Sequence, residues 1–418
     1  MAEDTPTTDD DGGRPGAFDH LFTPAVRDGL GEAGYGSWRA IDAPDAVSLS
    51  FGFPFPESFP NDELAAAAEA VFEAEGGAAM QYGGGEYADR LAEAIAERER
   101  DRGIDCDAGN VLLTNGATHA IDVVAHAFLD RGDHVFVEAP TFMGTLKLFA
   151  NYGVEVAGFE TDDEGLDVGA VAAELESRTA EGRPLPKLLY TIPTFQNPTG
   201  TTLSRDRRER LLDLAEEYDF VVVEDDAYGD LRYGGDDVAP LKALDETGRV
   251  VRVGTFSKTV APGVRTGWIL GDDEPLDTVG RIRAGGTNTF TQSVLGYYCT
   301  EGGFEGNVAE LRAAYEKRRD HILACLDDHM PEAAEWTDPD GGFFVWVELP
   351  EGIDAEELLP RAADEGVTYL PGEMFFPDDR GENGLRLSFS YVSLDEMERG
   401  IEALARATRS ALRERRPR

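Results

Sequence analysis

Apolar runs typical of β-strands alternate with amphipathic helical patterns from about residue 60 to residue 295. The alternation predicts an α/β fold, with a largely parallel sheet that is covered by helices on both faces. One intervening helix shows a helical period over residues 121–129, and another is predicted to begin at a cap on Ser204. The strand candidates are VLLT (111–114), HVFVE (134–138), VEVAGF (154–159), KLLYTI (187–192), FVVVED (220–225), VVRVGT (250–255) and TGWIL (266–270).

The pattern changes after about residue 300. A long helix (307–329), the strand GGFFVWVEL, a helix over 354–366, the strand LRLSFS and a closing helix follow one another. This order predicts a second, smaller α+β domain, since 418 residues are too many for one compact core. The expected organisation is an acidic, disordered tail at 1–16, an N-terminal segment packed on the small domain at 17–58, a large domain at 59–299 and a small C-terminal domain at 300–418.

The chain is strongly acidic, with 82 Asp and Glu against 38 Lys and Arg and a net charge of −44. Nucleic acid is an unsuitable partner, because phosphate binding needs clustered basic side chains. So large an excess of acid indicates a halophilic protein, whose self-repulsion is screened by high salt. The N-terminus is acidic and polar, and no apolar run approaches about 18 residues, so we expect a cytoplasmic protein without a membrane span.

Neither cysteine nor histidine forms a metal-binding pattern. Cys106, Cys299 and Cys325 are widely spaced, which indicates neither a disulfide framework nor a zinc site and fits a reducing interior. His119 and His126 are seven residues apart, without the i, i+4 spacing of a helical zinc motif. We therefore expect no metal site.

Lysine is rare in this chain. Only five of the 38 basic residues are Lys, at positions 147, 187, 242, 258 and 317. Arg does not lose its proton, whereas Lys can become a nucleophilic amine, so a retained Lys is a candidate for a role that Arg cannot fill. Lys258, in GTFSKTVAPGVRTGW (254–268), lies among small and hydroxylated residues just before Arg265, although the count alone also leaves an ordinary surface lysine open.

Polar and aromatic residues follow the predicted strands, where open α/β sheets bind their ligands. VLLT is followed by NGATHAID, a glycine turn that opens a helix and suits a phosphate. Glycine is also common before helices that bind no ligand, so a purely structural role is the alternative. HVFVE is followed by APTFMG, in which Phe142 is either a cover for a flat ring or a core residue. KLLYTI is followed by PTFQNPTG, whose prolines hold Asn197 in a rigid loop as an amide donor.

The strand FVVVED ends at Asp225, and the sequence continues as DAYGD. Strand alternation sends Glu224 and Asp226 to one face of the sheet and Asp225 to the other. A buried carboxylate is costly unless it meets a cation, and a protonated ring nitrogen would serve. Asp225 is therefore predicted to face a cationic ring.

Motifs of one enzyme family occur along the chain in the order that the family has them. They are SFGFPFPESFP, QYGGGEY, TNGATHA, PTFMG, PTFQNPTG, EDDAY, TFSKTVAPGVRTGW, GGFFVWVELP, PGEMFF and GLRLSFS. From about residue 48 to 400 the chain resembles the fold-type I pyridoxal-phosphate aminotransferases of class I/II, the group that includes 2-aminoadipate and kynurenine aminotransferases. The resemblance implies a large, mostly parallel seven-stranded sheet domain that binds pyridoxal 5'-phosphate, with a smaller α+β domain.

The resemblance also assigns the cofactor contacts. Lys258 would hold the cofactor as an internal aldimine and shuttle the proton between substrate and cofactor in a ping-pong reaction. Asp225 would pair with the pyridinium nitrogen, and Asn197 and Tyr228 would hydrogen-bond the ring 3-oxygen. The remaining implied contacts are stacking of Phe142 on the ring and phosphate contacts from Ala117, Thr118, Thr255, Arg265 and, across a homodimer with its active site at the subunit interface, Tyr82.

Four residues are implied to contact the substrates, and Asn197 is one of them. Arg386, in LRLSFS, would clamp the α-carboxylate with two parallel hydrogen bonds. Gly52 would let the N-terminal segment approach the substrate closely. Arg39 would recognise an acidic side chain, and the alternative for it is a solvent-facing Arg on an acidic surface. The implied reaction moves the amino group of an L-amino acid, of aromatic, 2-aminoadipate-like or broad type, to a 2-oxo acid such as 2-oxoglutarate or pyruvate.

The sequence departs from the family pattern at three places. Ala117-Thr118 stands where the family often has Ser-Gln, which removes one side-chain contact to the phosphate. Phe142 replaces a common Tyr, and the stretch QYGGGEYADRLAEAIA around Tyr82 is one residue shorter than usual and lacks a Leu-Arg pair. Two other functions fit the same fold, a pyridoxal-phosphate-dependent C–S lyase or cyclising synthase and a non-catalytic ligand-sensing domain of a transcription regulator. Both would lack efficient amino-group exchange with 2-oxoglutarate.

Overall fold

The computed structural model describes residues 19–23, 43–283 and 285–415. The strands in chain order are β1 (Val47–Ser48), β2 (Val111–Thr114), β3 (His134–Ala139), β4 (Glu155–Asp162), β5 (Gly165–Leu166), β6 (Pro186–Thr191), β7 (Val221–Asp226), β8 (Val250–Thr255), β9 (Gly267–Leu270), β10 (Glu335–Trp336), β11 (Phe344–Glu348), β12 (Val367–Thr368), β13 (Leu370–Pro371) and β14 (Gly384–Ser388). The α-helices are α1 (Asn61–Glu75), α2 (Glu86–Asp101), α3 (Ala117–Phe128), α4 (Met143–Tyr152), α5 (Val168–Glu181), α6 (Arg205–Tyr218), α7 (Leu241–Leu244), α8 (Asp273–Ile282), α9 (Thr289–Glu301), α10 (Phe304–His329), α11 (Ala355–Glu365) and α12 (Leu394–Arg415). Within these described ranges, no helix has an apolar stretch long enough to cross a membrane.

The large sheet contains eight strands in the order β2-β9-β8-β7-β6-β3-β4-β5. Six of them run in one direction, whereas β9 and β5 run against their neighbours. The seven strands predicted between residues 111 and 270 are all present in this sheet, displaced by at most three residues at an end. The eighth strand, β5, was not predicted, because a two-residue hairpin partner of β4 is too short to show a period.

Helices pack on both faces of the large sheet, because its central strands are apolar on both sides. On β3, Val135 and Val137 face a core that they share with α3, α4 and α8. Phe136, between them, faces a second core shared with α5 and α6. Since helices cover both faces, polar side chains of the sheet reach a ligand at the strand ends.

The smaller sheet has the antiparallel order β10-β11-β14-β13. Side chains of α11, α12 and the C-terminal half of α10 cover one of its faces and form a separate core. Leu49 is fully buried in the same core, and β1 pairs in parallel with β12. Residues 47–49 therefore pack with the smaller sheet.

Two helix starts differ in detail from the sequence expectation. The helix α10 begins at Phe304, three residues earlier than predicted, directly after Gly303 in a left-handed conformation. The helix α6 follows Ser204 as predicted, but the Ser204 side chain makes no capping hydrogen bond. Its backbone N–H instead donates to the Glu164 carbonyl oxygen at 3.1 Å, which joins the helix start to the β4–β5 hairpin.

Candidate active site

The predicted site residues gather at one edge of the large sheet. The strands β2, β3, β6, β7 and β8 are parallel, so their carboxyl ends all lie at this edge. The antiparallel strand β9 begins there. Loops after these strands, together with β14 and residues 50–53, supply the side chains and carbonyl groups described below.

Lys258 follows β8 in a turn and has a half-buried side chain. Its Nζ donates a hydrogen bond to the Gly52 carbonyl oxygen at 3.0 Å and lies 5.8 Å from the centre of the Tyr228 ring. Burial, with the positive charge of Arg386, lowers the pKa of Lys258 to about 8, although Asp225 opposes this shift. The neutral amine is thus easier to reach near neutral pH, as a nucleophile or base requires.

Asp225 is buried near the end of β7, where 5 % of its surface is exposed. Tyr190 on β6 donates its hydroxyl to Oδ2 at 2.6 Å. The other carboxylate oxygen, Oδ1, is buried without a hydrogen-bond partner among the described residues. Burial raises the pKa of Asp225 to about 6, despite the opposing hydrogen bond from Tyr190. An orphan oxygen of this kind favours a ligand that brings a cationic N–H group.

Arg386 lies on β14 with 4 % of its surface exposed. Its Nη1 donates to Asn197 Oδ1 at 2.8 Å and its Nη2 donates to the Ser50 carbonyl oxygen at 2.7 Å. The guanidinium lies 4.0 Å from the centre of the Phe344 ring, and Nε is buried without a partner among the described residues. Burial lowers the pKa of Arg386 to about 10. Since its protein partners are neutral oxygens, this guanidinium is suited to a ligand carboxylate.

Gly52 lies where the N-terminal segment passes Lys258. The prediction attributed the glycine to close approach of a substrate. In the structure a Cβ at this position would overlap the ring of Phe344, so glycine is required by the packing of the protein itself. The carbonyl of Gly52, rather than its missing side chain, faces Lys258.

Residues predicted for an anion site lie at the start of α3. Gly116 precedes the helix with a φ of +90°, and a Cβ there would lie 2.7 Å from Nη2 of Arg265. Arg265 is exposed, has a left-handed backbone with a φ of +47°, and donates from Nη2 to the Asn115 carbonyl oxygen at 3.0 Å. A guanidinium and the positive end of a helix therefore act at the same place.

Other groups predicted for the anion site surround this helix start. Ala117 and Thr118 are the first two residues of α3, so their N–H groups have no acceptor within the helix. Thr255 ends β8, and its Oγ1 lies 2.9 Å from Ser257 Oγ and donates to the Thr266 carbonyl oxygen at 3.2 Å. Ser257 was assigned no contact of its own, although it lies between Thr255 and Lys258 in the same motif.

Phe142, Asn197 and Tyr228 lie on loops around the same edge. Phe142 directly precedes α4 and is half-buried against the core beneath α3 and α4. Asn197 is 5 % exposed, and its Oδ1 is occupied by Arg386. Tyr228 is buried, which raises the pKa of its hydroxyl, and its ring packs edge-on against Phe344. Because Arg386 bonds to the oxygen of Asn197, the amide nitrogen of Asn197 stays available to a ligand.

The remaining predicted site residues are Tyr82 and Arg39. Tyr82 is 98 % exposed in the turn between α1 and α2, so its side chain is almost uncovered by the described residues. Met80 and Phe72, in the same stretch, are 63 % and 48 % exposed. Arg39 lies outside the described residues.

Tyr190 and Phe344 belong to the site and were not predicted. Tyr190 carried a signal, because it is a hydroxyl-bearing residue inside the apolar run KLLYTI. It pairs with Val223, two residues before Asp225, and so faces the same side as Asp225. Phe344 carried no such sequence signal, because one aromatic residue among several in GGFFVWVEL is typical of a strand in the hydrophobic core.

The site presents chemically complementary groups at one edge. Lys258 offers an amine, Asp225 a carboxylate oxygen without a donor, and Arg386 a guanidinium bound to neutral oxygens. Arg265 adds a cation at the start of a helix. A ligand with a phosphate and a protonated ring nitrogen, together with a substrate carboxylate, would satisfy all of them.

Several known proteins that are similar to this chain are named aminotransferases. The family model described as aminotransferase class I and II matches residues 48–404. Aromatic-amino-acid aminotransferase 1 of Thermococcus litoralis is 39% identical over 90% of this chain and 91% of its own length. The crystal structure of a multiple substrate aminotransferase from Thermococcus profundus has a TM-score of 0.86 at 36% identity, over 95% of this chain and 100% of that chain. The α-aminoadipate aminotransferase of Thermus thermophilus, solved with N-(5'-phosphopyridoxyl)-L-leucine, has a TM-score of 0.81 at 33% identity, over 94% of this chain and 96% of that chain.

Proposed function

Because this chain belongs to the class I and II aminotransferases, we propose a role for each residue of its site in the transfer of an amino group. The enzyme exchanges amino groups between amino acids and oxo acids, and its cofactor is pyridoxal phosphate. When bound, this cofactor supplies a carbonyl carbon that takes up amino groups and a pyridine ring that accepts electrons. The observation that carries the proposal is the convergence of Lys258, Asp225 and Arg386, none of which is neutralised by a direct ion pair within the described ranges.

The residues present fit this cofactor. The orphan Oδ1 of Asp225 is an acceptor for the N–H of the cofactor ring. Asn197 keeps its amide nitrogen free because Arg386 occupies its oxygen, so it can donate to the ring oxygen, as can the hydroxyl of Tyr228. Phe142, half-buried beside this edge, offers a flat face to the ring.

Lys258 is proposed as the residue that binds the cofactor and moves the proton at the substrate α-carbon. Its lowered pKa makes a neutral amine available as a base near neutral pH. The Gly52 carbonyl, 3.0 Å from Nζ, holds the amine at the site edge whenever it is not bonded to the cofactor. Asp225 keeps the ring nitrogen protonated, which strengthens the pull of the ring on electrons.

Arg386 is proposed to bind the α-carboxylate of each substrate. Hydrogen bonds to Asn197 and Ser50 fix the plane of its guanidinium. The remaining N–H groups, Nε–H included, are left for the substrate. A carboxylate fixed at this point orients the α-carbon toward Lys258.

The phosphate is proposed to bind at the start of α3. Arg265 and the Thr255 hydroxyl provide side-chain donors, and the N–H groups of Ala117 and Thr118 provide backbone donors. The exposed side chain of Tyr82 supports a homodimer in which this residue reaches the phosphate of the other subunit. Neighbouring exposed apolar side chains give such an interface a hydrophobic surface.

An aromatic wall beside Lys258 supports aromatic amino acids as preferred donors. Phe51 and Phe53, on either side of Gly52, stack with ring centres 4.8 Å apart and an angle of 10° between their planes. Tyr391 packs edge-on against Phe53 at 6.2 Å. Phe53 and Tyr391 remain 49 % and 43 % exposed, so their surfaces are accessible to a substrate ring.

Reduction of the holoenzyme with borohydride, followed by peptide mapping, tests the role of Lys258. The cofactor should be fixed to Lys258 alone. Lys147, Lys187 and Lys317 are exposed, and Lys242 is held by the carboxylates of Asp245 and Asp272, so none of them offers a buried amine that is free of an acidic partner. Modification of one of these four lysines in place of Lys258 would refute the assignment.

Amino-group exchange with 2-oxoglutarate in high salt separates transamination from the lyase alternative. A panel of amino donors should give the matching 2-oxo acids and glutamate in equal amounts. Release of ammonia or a thiol without glutamate would instead identify a lyase.

The aromatic wall is tested by Phe51→Ala, with Phe51→Leu as a control that keeps apolar volume without a flat ring. Phe51→Ala should lower kcat/KM for phenylalanine by roughly tenfold or more, since it removes the burial of an aromatic face. The value for alanine as donor should change by less than about threefold, because a methyl group does not reach the wall. Equal losses for both donors would remove the wall from substrate recognition.

A further inference from the structure

Glu138 is a buried carboxyl group that no step described above uses. It lies near the end of β3 and is 1 % exposed. Its Oε1 accepts the Thr191 hydroxyl at 2.6 Å, and its Oε2 accepts the Ile192 N–H at 3.0 Å and Gln196 Nε2 at 3.1 Å. All three donors belong to the end of β6 or to the loop that follows it.

Gln196 connects Glu138 to both loops at the edge of the site. Its Nε2 also donates to the Pro140 carbonyl oxygen at 2.7 Å. Pro140 lies two residues before Phe142, and Gln196 directly precedes Asn197. The link between Glu138 and Gln196 therefore joins the loop that carries Phe142 to the loop that carries Asn197.

We propose that Glu138 is a positioning residue, whose carboxyl group fixes Asn197 and Phe142 relative to each other and so sets the orientation of the cofactor ring. This inference rests on the proposed contacts of Asn197 and Phe142 with the ring. Glu138 acts through Gln196 and through the ends of β3 and β6, and takes no part in proton transfer.

The shape of the side chain, rather than its charge, is what this role requires. Burial raises the pKa of Glu138 to about 7, although its hydrogen bonds oppose the shift, so both protonation states occur near neutral pH. Both states fit, because the Thr191 hydroxyl can donate to Oε1 or accept from it. Glutamine fits for the same reason: its oxygen accepts from Ile192 and Gln196, and its nitrogen donates to Thr191.

The variants Glu138→Gln and Glu138→Leu separate shape from charge, and Glu99→Leu is a matched control. Glu99 is 2 % exposed on α2, outside both loops, and accepts a hydrogen bond from Arg252 at 3.1 Å. For each variant we would measure the dissociation constant of pyridoxal phosphate and the visible circular dichroism per bound cofactor, which reports the asymmetric setting of the ring. Glu138→Leu should raise the dissociation constant by roughly ten- to a hundredfold and at least halve the dichroism, because buried donors lose their acceptor.

Glu138→Gln should keep both quantities within about threefold of the parent enzyme, since the hydrogen bonds are conserved. Glu99→Leu should lower the melting temperature and leave the dichroism per bound cofactor unchanged. Equal losses in Glu138→Gln and Glu138→Leu would overturn the proposal, because charge would then be the decisive property. An unchanged dichroism in Glu138→Leu would overturn it as well, and would leave Glu138 a merely structural residue.

A second variant covers the case in which Glu138→Leu does not fold. Gln196→Met removes the same link from the other loop, and we expect the same fall in dichroism. Borohydride mapping of each variant keeps this test separate from the assignment of Lys258. If the cofactor is attached at Lys258 and the dichroism of Gln196→Met is normal, only the role of Glu138 is contradicted. If the cofactor is attached to another residue, the proposed function is contradicted.

Discussion

Neighbouring residues of β7 lie in two different electrostatic environments. On one face, Glu224 and Asp226 bind Arg252, which also binds Glu99 at 3.1 Å, and Arg102 binds Asp226 at 2.8 Å. These five residues are named here the arginine network. Although burial opposes the shift, Arg252 and Arg102 lower the pKa of Asp226. Each buried charge of the network therefore meets an opposite charge.

The opposite face of the same strand holds the active-site charges. Burial raises the pKa of Asp225 to about 6 and lowers that of Lys258 to about 8 and that of Arg386 to about 10. All three shifts disfavour the charged form, because these groups lack the close ion pairs of the arginine network. Among the described residues, Asp225 and Arg386 thus keep unsatisfied polar atoms at the proposed site, whereas the charges of the arginine network are paired.

Among variants that test the difference between the active-site charges and the arginine network, Lys258→Ala is expected to have the largest effect. Transamination should fall by about ten-thousandfold, which is the upper end of what proton transfer by a positioned group contributes. Its control is Lys242→Ala, which removes an ammonium held by Asp245 at 3.0 Å and Asp272 at 2.7 Å. Steady-state rates and melting temperatures should give opposite rankings for the two variants. A loss of activity in Lys242→Ala as large as that in Lys258→Ala would erase the distinction.

Arg252→Met would break the arginine network rather than the active site. It leaves Glu99, Glu224 and Asp226 as buried carboxylates without their central cation, and should lower the free energy of unfolding by about 3–5 kcal/mol. Urea denaturation measures this loss. The folded fraction should keep kcat within about threefold, since Arg252 faces away from Lys258. An unchanged unfolding curve would mean that the ion pairs contribute no stability.

Asp225→Asn should have opposite effects on stability and activity. The pKa of Asp225 in the folded protein is about 6, above its ordinary value, so ionisation costs stability as the pH rises from about 4 to 6. In the cofactor-free protein, Asp225→Asn should therefore gain up to about 3 kcal/mol at pH 7 and none below about pH 4. Parallel stability curves for the two proteins between these pH values would contradict the raised pKa.

The same variant should lose transamination with the cofactor bound. A neutral amide cannot keep the ring nitrogen protonated, so the barrier should rise on the order of several kcal/mol. Asp226→Asn is the matched control on the network side of β7, and its rate should change little while its stability falls. Normal turnover in Asp225→Asn would remove Asp225 from the protonation of the cofactor ring.

The smallest effect is expected from Arg386→Lys, which keeps the charge and loses the planar fork. Transition-state binding should weaken by about 1.5–3 kcal/mol, or roughly ten- to a hundredfold in kcat/KM. The dissociation constant of the cofactor should stay within about threefold, because Arg386 is assigned to the substrate carboxylate. Stopped-flow half-reactions and cofactor titration measure the two quantities. An unaltered kcat/KM for every amino donor would remove Arg386 from carboxylate binding.

Much of the fold was predictable from local patterns. The apolar runs gave the strands of the large sheet, and strand alternation correctly placed Asp225 on the face opposite Glu224 and Asp226. The strand β5 and the uncapped start of α6 at Ser204 were missed, because both depend on where the β4–β5 hairpin lies in space.

The site was predictable only in part. Lys258, Asp225 and Arg386 were predicted as site residues because each stands in a motif that resembles one of a known enzyme family, and the structure brings all three to one edge of the large sheet. The contact of Tyr190 with Asp225, and that of Phe344 with Gly52, were not found, because each joins segments separated along the chain. The reason given for Gly52 was accordingly incomplete.

The sequence by itself determined the α/β order and the strongly acidic character of the chain, because these depend on residue type and on spacing within a few residues. Only the tertiary structure decided which buried charges are paired. Arg252 and Arg386 are both buried guanidinium groups in strands, yet one faces three carboxylates and the other neutral oxygens. Burial and the approach of distant side chains set this difference, since the energy of a charge depends on the groups within a few ångströms of it and not on its neighbours in sequence.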